Sequence, residues 1–92
     1  MSRREEADDY RAIVVKLNDN WRVIECRDAI QWIVQQRSGT RHGQPRWDGR
    51  NYYRTREALM RHVRALVTGG DGIALAIIES LPERIHGRTV SA

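Results

Sequence analysis

The chain has 92 residues, 40% of them hydrophobic and 30% charged, with a formal net charge of +4. This composition predicts a single globular domain, because it is too apolar for a disordered protein and too short for two separate cores. It excludes a membrane-spanning helix, since no apolar run approaches the roughly 20 residues that a bilayer requires. One cysteine, Cys26, allows no internal disulfide, and the N-terminus lacks the apolar stretch of a secretory signal. We therefore expect a reducing, cytoplasmic location.

The first elements alternate between charged, β-branched and turn-forming residues. Residues 1–9 are charged and small, and we expect them to form a disordered leader. β-Branched residues predict a first strand over about 11–17, and Asn18-Asp19-Asn20 predicts a tight turn after it. The alternation that follows predicts a second strand over 21–26, which would form a hairpin with the first.

Two periodicities compete over residues 30–37. Ile30, Trp32 and Val34 follow the period of a strand. Ile30 and Val34, together with Ile33, also fit one face of a helix that Asp28 could cap. The β-branched content and the short flanking turns favour a third strand.

The next segment contains the strongest turn signals of the chain. Residues 38–45 predict a loop, because they combine two glycines, one proline and small polar side chains. Residues 46–53 predict a fourth strand, or a short hairpin around Asp48-Gly49. In a regular strand, Trp47 and Tyr53 would share the face that packs on a helix. The face open to solvent would carry Arg46, Asp48, Arg50, Tyr52 and Arg54.

Helical spacing dominates the last third of the chain. Thr55 is a good N-cap for a helix over 56–67, and Glu57 lies in its first turn, where a negative charge interacts favourably with the helix dipole. A second helix is expected over 72–81. Its predicted buried face carries Ala74, Ile77, Ile78 and Leu81. Residues 87–92 are expected to form a loose tail.

This order predicts an α+β fold for a single domain over 10–86. A three- to four-stranded antiparallel sheet would pack on helix 56–67, and the second helix would lie beside it. An edge strand or the second helix could mediate a dimer, and the sequence leaves the oligomeric state open.

The positive charge is concentrated in the middle of the chain. Residues 37–64 carry eight arginines against two acidic residues, a net charge of +6, whereas residues 1–36 and 65–92 each carry a net charge of −1. Such a field attracts phosphate backbones or acidic protein patches. Lys16 is the only lysine, and arginine suits bidentate contacts to phosphate and guanine. A GC-rich genome would also favour arginine over lysine, but it does not explain the clustering.

No set of residues predicts catalysis or a cofactor. His42, His62 and His86 are far apart, and one cysteine cannot supply the usual pairs of zinc ligands. A nucleophilic pair of Cys26 with a histidine is conceivable, but a cysteine in an alternating strand is better interpreted as a buried small apolar residue. We therefore expect a non-catalytic protein without a metal or cofactor.

The remaining candidates are arginines interleaved with aromatic residues. An exposed sheet face of such side chains can enter a major groove or stack on unpaired bases. The alternative is an ordinary solvated strand face in front of a core tryptophan. The predicted contact surface consists of the loop 38–45 and the following residues: Arg22, Arg27, Arg37, Arg41, Arg46, Arg50, Tyr52 and Arg54. Arg61 and Arg64 would form a secondary basic stripe on the outside of helix 56–67, facing away from the strand arginines.

Residues 21–67 resemble a known DNA-binding unit. The segment Ile30-Gln-Trp-Ile-Val-Gln-Gln-Arg37, a loop, Arg46-Trp-Asp-Gly49 and Thr55-Arg-Glu-Ala-Leu59 resembles the plant ethylene-response-factor domain and its relatives in phage integrases. The resemblance implies a three-stranded sheet that reads the major groove and a helix packed behind it. The sheet contacts that it implies are Arg22, Arg27, Arg37, Arg46 and Arg50. This chain departs from the pattern by two extra residues before the helix cap and by an added strand and helix.

A second resemblance spans most of the chain. Four segments are similar to small proteins of alphaproteobacteria and their mobile elements: Trp21-Arg-Val-Ile-Glu-Cys-Arg-Asp28, Ile30-Gln-Trp-Ile33, Tyr53-Arg-Thr-Arg-Glu-Ala-Leu59 and Leu81-Pro-Glu-Arg-Ile85. This resemblance implies no defined activity, although such proteins are often transcription factors or inhibitors of host defence.

Two hypotheses of function follow, neither of them involving a membrane. The first is nucleic-acid binding, to DNA in particular, through an arginine-bearing sheet face and the loop 38–45. The second is a protein-interaction module or inhibitor, for example of the anti-CRISPR type, that blocks a larger protein or ribonucleoprotein complex.

Overall fold

The chain folds into one antiparallel sheet followed by two helices. The computed structural model describes residues 2–67 and 72–85, with only the backbone of Arg41. Its elements are β1 (Ile13–Lys16), β2 (Trp21–Glu25), β3 (Trp32–Arg41), β4 (Gln44–Tyr53), α1 (Arg56–Leu66) and α2 (Gly72–Glu79). Neighbouring strands pair antiparallel in the order β1-β2-β3-β4. The predicted α+β fold is confirmed, and the predicted tail, 87–92, lies outside the described residues.

Short turns join the first three strands, as the sequence predicts. Between β1 and β2, the backbone N–H of Asn20 donates a hydrogen bond to the side-chain oxygen of Asn18 at 2.8 Å, a local bond typical of asparagine turns. Between β2 and β3, Ala29 has a φ of 58°. The segment 30–37, which allowed a strand or a helix, is a strand from Trp32 onward, and the first four residues of β3 are all buried.

β3 and β4 form a long hairpin where the sequence predicted a loop. The strands pair as far as Arg41 and Gln44, so only His42 and Gly43 form the turn. Both turn residues have positive φ, 52° and 78°, as the tightest hairpin turns require. The prediction of an open loop over 38–45 is therefore wrong. Composition indicated flexibility, but strand pairing satisfies the backbone groups of most of this segment.

One side of the sheet, the helix side, packs against α1 and α2 around the larger part of the core. The buried residues of this core are Leu17, Val23, Trp32, Val34, Leu59, Met60, Val63, Ala74, Ile78 and Ile85. α1 begins after Thr55, whose side-chain oxygen accepts a hydrogen bond from the Ala58 backbone N–H at 3.3 Å. The predicted N-cap is thus confirmed, and it fixes the start of α1 directly after β4.

α2 buries a narrower face than the sequence predicted. Ala74 and Ile78, one turn apart, are buried, but Ile77 is 36% exposed and Leu81 is half-buried beyond the end of the helix. The helix ends at Glu79, so Leu81 no longer follows the helical repeat. Neither α1 nor α2 has the length and apolar character to cross a bilayer.

The other side of the sheet, the strap side, is partly covered by residues 2–12, which we call the strap. The backbone N–H of Ser2 donates to the Asp9 carbonyl, and that of Arg11 donates to the Ser2 carbonyl, both at 2.9 Å. These bonds close the strap into a loop. Beneath it lies a smaller cluster of buried residues, formed by Tyr10, Ile24, Cys26 and Ile33.

The strap differs from the disordered leader that the sequence predicted for residues 1–9. The Trp47 backbone N–H donates to the Glu6 carbonyl at 2.9 Å, and Ala7 forms an isolated bridge with Arg46 at the edge of β4. Backbone groups make these bonds, so the charged composition of the segment carries no sign of them.

A β-bulge in β4 changes the side-chain alternation of that strand. Gln35 pairs with Gly49, and Val34 pairs with Asn51, so Arg50 is an extra residue between two consecutive pairs. An extra residue in one strand shifts the phase of all the side chains beyond it.

The bulge places Trp47 and Tyr53 on opposite sides of the sheet. Tyr53 points to the helix side, where its hydroxyl oxygen lies 2.8 Å from His62 Nδ1. Trp47 points to the strap side, where its indole N–H donates to the Asp8 carboxylate at 3.0 Å. The prediction that Trp47 and Tyr53 share one face against the helix is therefore wrong. The same shift separates Tyr52, on the strap side, from Arg46, on the helix side.

Candidate nucleic-acid interface

Arg22, a predicted contact residue, lies in the interior. It is 2% exposed, and its guanidinium lies over the Trp47 ring, 4.5 Å from the ring centroid. Its Nε donates to the side-chain oxygen of Gln35 at 2.7 Å. Its two terminal nitrogens donate to strap carbonyls: Nη1 to Asp8 at 3.1 Å, and Nη2 to Glu5 at 3.0 Å and to Ala7 at 2.7 Å.

These contacts make Arg22 a structural residue that holds the strap on the sheet. Burial lowers the pKa of Arg22 to about 10, against smaller opposing effects from Asp8 and Tyr10. The guanidinium thus stays charged at neutral pH, and the hydrogen bonds offset its desolvation. A signal was present in the sequence, since strand alternation places Arg22 on the same face as Ile24 and Cys26. That face of β2 is otherwise apolar, and a solvent-exposed arginine rarely lies on such a face.

Arg46 and Arg50 lie on the helix side of β4, beyond the part that α1 covers. Arg50, the bulge residue, donates from Nε to the side-chain oxygen of Gln36 at 3.0 Å. Arg46 forms an ion pair with Asp48, with 3.6 Å between Nε and Oδ1, and both side chains are over 40% exposed. Both predicted contact residues therefore lie along β4, and Arg46 also borders hollows that the strap lines.

Arg61 and Arg64 lie on the exposed face of α1, on the same side of the sheet as Arg46 and Arg50. Arg61 borders a surface depression with Asn51 and Tyr53 of β4, and Arg64 follows it by one turn. The expected separation between the helix stripe and the strand arginines is thus wrong for Arg46 and Arg50. We name Arg46, Arg50, Arg61 and Arg64 the helix-side basic surface.

The strap side has a different chemical character. Tyr52 is 54% exposed and lies across Gly49, where a Cβ atom would come 2.5 Å from the tyrosine hydroxyl oxygen. Arg37 is exposed and pairs with Trp47 across the two strands. The strap adds four acidic residues to this side, Glu5, Glu6, Asp8 and Asp9. Arginines here therefore share their surroundings with carboxylates.

Two further predicted contact residues lie away from these groups. Arg27 is exposed in the turn between β2 and β3, where its backbone N–H donates to the Glu5 carboxylate at 2.7 Å. Arg54 is exposed just after β4, and its carbonyl accepts from the Ile85 N–H at 3.0 Å. The structure does not bring either of them into the helix-side basic surface.

The β3–β4 hairpin projects beyond the rest of the sheet. β2 pairs with β3 only as far as Gln36, so residues 37–47, which we call the arm, form a two-stranded ribbon. Its base is held by the Asn20 carbonyl, which accepts from the Arg37 N–H at 2.8 Å, and by the strap at Arg46 and Trp47. The arm carries Arg37, Arg41 and Arg46 and no acidic residue. Sequence composition identified the basic character of this segment but not its shape.

Residues with catalytic or ligand chemistry are dispersed across the described part of the chain. Cys26 is buried, and its sulfur accepts from the Ile30 N–H at 3.3 Å. His62 contacts Tyr53, and His42 lies in the arm's turn, while His86 is outside the described residues. Residues 2–67 and 72–85 contain no group of three or more histidine, cysteine or acidic residues that could hold a metal ion.

A cleft of about 800 Å³ lies between α1 and the residues that follow α2. Arg56 closes one end by donating to the Leu81 carbonyl at 2.8 Å. Its charged lining mixes both signs: Arg56, Arg61, Arg64, Arg84, Glu57, Glu79 and Glu83. Four arginines against three glutamates leave a net charge of +1 around this cleft.

None of the family models, curated proteins and solved structures compared with this chain matches it. The resemblances to the ethylene-response-factor domain and to small mobile-element proteins therefore stay predictions. Its function is argued below from the charge and shape of its own surface.

Proposed function

We propose that this protein is a non-catalytic DNA-binding protein that inserts the arm, residues 37–47, into a groove of the duplex. The observation that carries the proposal is the shape of the arm: a two-stranded ribbon that extends past β2 with three arginines and no acidic residue. The proposal assigns no catalytic or cofactor chemistry and no membrane partner to the chain.

The dimensions of the arm support this proposal. The major groove of B-form DNA is about 12 Å wide and admits a two-stranded β-ribbon. Arg37 pairs with Trp47 at the base of the arm, and the bulge in β3 leaves three residues of β4, 44–46, between Trp47 and the turn, so the ribbon projects by roughly 10 Å at about 3.3 Å per residue. This reach exceeds the depth of the groove, about 8.5 Å. The arm can therefore contact base edges while the sheet stays outside.

A titration of DNA with matched arginine variants tests the proposal. The arm variant replaces Arg37, Arg41 and Arg46 with glutamine; the control variant replaces Arg4, Arg27 and Arg54, and both lose three positive charges. Fluorescence anisotropy with a labelled duplex at about 50 and 200 mM salt should show at least tenfold weaker binding for the arm variant, since phosphate contacts dominate affinity. Equal losses for both variants, or no binding of the native protein at low salt, would overturn the proposal.

A second candidate function is a protein-interaction module or inhibitor from a mobile element, of the anti-CRISPR type among others. The observation in its favour is the exposed Tyr52 ring, held across Gly49 on the strap side. Exposed aromatic side chains are frequent energetic centres of protein interfaces. Co-purification from host lysate with and without nuclease separates the two functions: a partner that resists nuclease and depends on Tyr52 supports this second candidate.

A further inference from the structure

We propose that the duplex lies against the helix side of the sheet, so that Arg50, Arg61 and Arg64 contact the phosphates that flank the groove occupied by the arm. This inference rests on the proposed function and adds the face of the molecule and the form of nucleic acid. It assigns α1 a direct contact role that a sheet-face mode of binding would not give it.

The bulge in β4 is the first observation behind this orientation. In a regular strand, Arg50 and Tyr52 would point to the same side. The extra residue instead sends the Arg50 guanidinium to Gln36, on the helix side. The arginines of β4 and the exposed arginines of α1 then lie on one side of the molecule, with Arg61 next to Asn51.

The availability of these arginines is the second observation. Arg61 and Glu57 are 3.4 Å apart with side chains 78% and 86% exposed, and exposed pairs of this kind are worth about 1 kcal/mol or less. Arg64 is exposed and makes no hydrogen bond or ion pair within the described ranges. A phosphate can therefore bind these guanidinium groups without breaking a strong internal contact.

The strap side disfavours the same ligand. Glu6, Asp8 and Asp9 border a hollow at the base of the arm together with Arg4, Arg46 and His42. The three carboxylates outnumber the two arginines there, so this hollow does not attract phosphates that approach from the strap side. The strap also occupies the sheet face over Arg22. The duplex is thus directed to the other side by both charge and shape.

The ribbon also selects the form of the duplex. The major groove of A-form RNA is deep and too narrow for protein side chains to read, whereas that of B-form DNA admits a ribbon. The longest dimension of the molecule is 41 Å, more than one turn of B-form DNA at about 34 Å. The protein is therefore large enough to span a groove and the neighbouring backbone.

The test uses the full chain with three glutamine variants of equal charge. The helix-side variant replaces Arg50, Arg61 and Arg64, and it is compared with the arm variant and the control variant defined above. Circular dichroism and urea unfolding establish that all three are folded. The arginines whose side chains the structure describes are exposed, so stabilities should agree within about 0.5 kcal/mol. Binding to duplex DNA and to duplex RNA of the same sequence is then measured by anisotropy.

We expect the helix-side variant to bind DNA at least about tenfold more weakly than the control variant, with a salt dependence reduced by about 2 to 3 units of slope. Equal affinities of the helix-side and control variants would overturn the orientation, even if the arm variant still failed to bind. Tighter binding of RNA than of DNA would overturn the choice of duplex. Loss of the proposed function would look different, because the native protein would then bind neither duplex.

Discussion

The role of Arg22 in the structure differs from the role that the sequence predicted. Its charge suggested a surface contact, yet it is buried and donates to one side chain and three strap carbonyls. An arginine can satisfy such a set of acceptors because its guanidinium has five N–H donors in a fixed plane. Strand alternation indicated the face on which it lies, but only the fold shows that the strap covers that face.

Replacing Arg22 with methionine should destabilise the fold by at least about 3 kcal/mol, because three strap carbonyls and the Gln35 side chain would each lose a charged donor. Urea unfolding measures the change. Arg54→Met is the matched control, since Arg54 is exposed and its side chain has no partner among the described residues. That control should stay within about 0.5 kcal/mol of the native protein. A loss below about 1 kcal/mol for Arg22→Met would show that water replaces the guanidinium.

Ionisation of Tyr10 at alkaline pH should lower the stability of the fold. Its hydroxyl donates to the Glu25 carbonyl at 2.9 Å, and burial, followed by the charge of Glu5, raises its pKa above the usual value of 10.0. A raised pKa in the folded state means that the protonated phenol stabilises the fold fully below pH 10. This stabilisation is lost as the pH rises through the folded pKa.

The ionisation of Tyr10 can be followed by the absorbance of phenolate. The native protein should show a tyrosine component that ionises above the usual value of 10.0, and Tyr10→Phe should remove that late component. Tyr52→Phe should leave the late component in place. If Tyr10→Phe instead removed an early component, Tyr10 would be accessible to solvent and the strap would be open in solution.

At the scale of elements, the sequence predicted the strands and helices better than the connections between them. β-Branched runs and the Thr55 cap located the strands and α1, because these signals are local. The bulge at Arg50 depends on pairing with β3, which no local pattern records. Gly49, a glycine inside a strand pattern, was the available sign, since such glycines often mark bulges. The sequence did not predict the paired strands of the arm, because the glycines of this segment are also typical of a loop.

Replacing a glycine in the turn of the arm should destabilise the fold, because the turn requires positive φ. Gly43 has a φ of 78° with no atom near its missing Cβ, so Gly43→Ala should cost about 1 kcal/mol through backbone strain alone. Gly72→Ala is the control: it also has open space, it begins α2, and its φ is not positive. Alanine there should be neutral or stabilising by up to about 1 kcal/mol. Equal effects in urea unfolding would contradict a strained two-residue turn.

The strap should behave as a part of the fold in truncation experiments. Deleting residues 1–9 removes the carbonyls of Glu5, Ala7 and Asp8 from the buried Arg22, and we expect a loss of at least about 3 kcal/mol. The variant Glu6→Gln with Asp9→Asn is the control, because it removes two charges and keeps every carbonyl. Differential scanning calorimetry should show a lower Tm for the truncation alone. A truncated chain with native Tm would restore the interpretation of a disordered leader.

At the scale of the whole molecule, the fold separates charges that the sequence leaves mixed. The helix-side basic surface contains Arg46, Arg50, Arg61 and Arg64, whereas the four acidic residues of the strap lie on the other side together with Arg37. Charge composition predicted the first of these groups. The division between two sides follows from the bulge and the strap, and therefore could be obtained only from the folded chain.

This separation leads to a prediction about salt dependence. If the six arginines Arg37, Arg41, Arg46, Arg50, Arg61 and Arg64 each neutralise one phosphate, the slope of log K against log salt should be about −5, at roughly −0.9 per contact. Arg61→Gln should reduce the slope by about one, whereas Arg27→Gln, with the same change in net charge, should leave it unchanged. Measuring Kd for both variants over a range of salt concentrations distinguishes local contact from overall charge. Equal reductions in slope would mean that the protein attracts DNA through its net charge of +4, without a defined face.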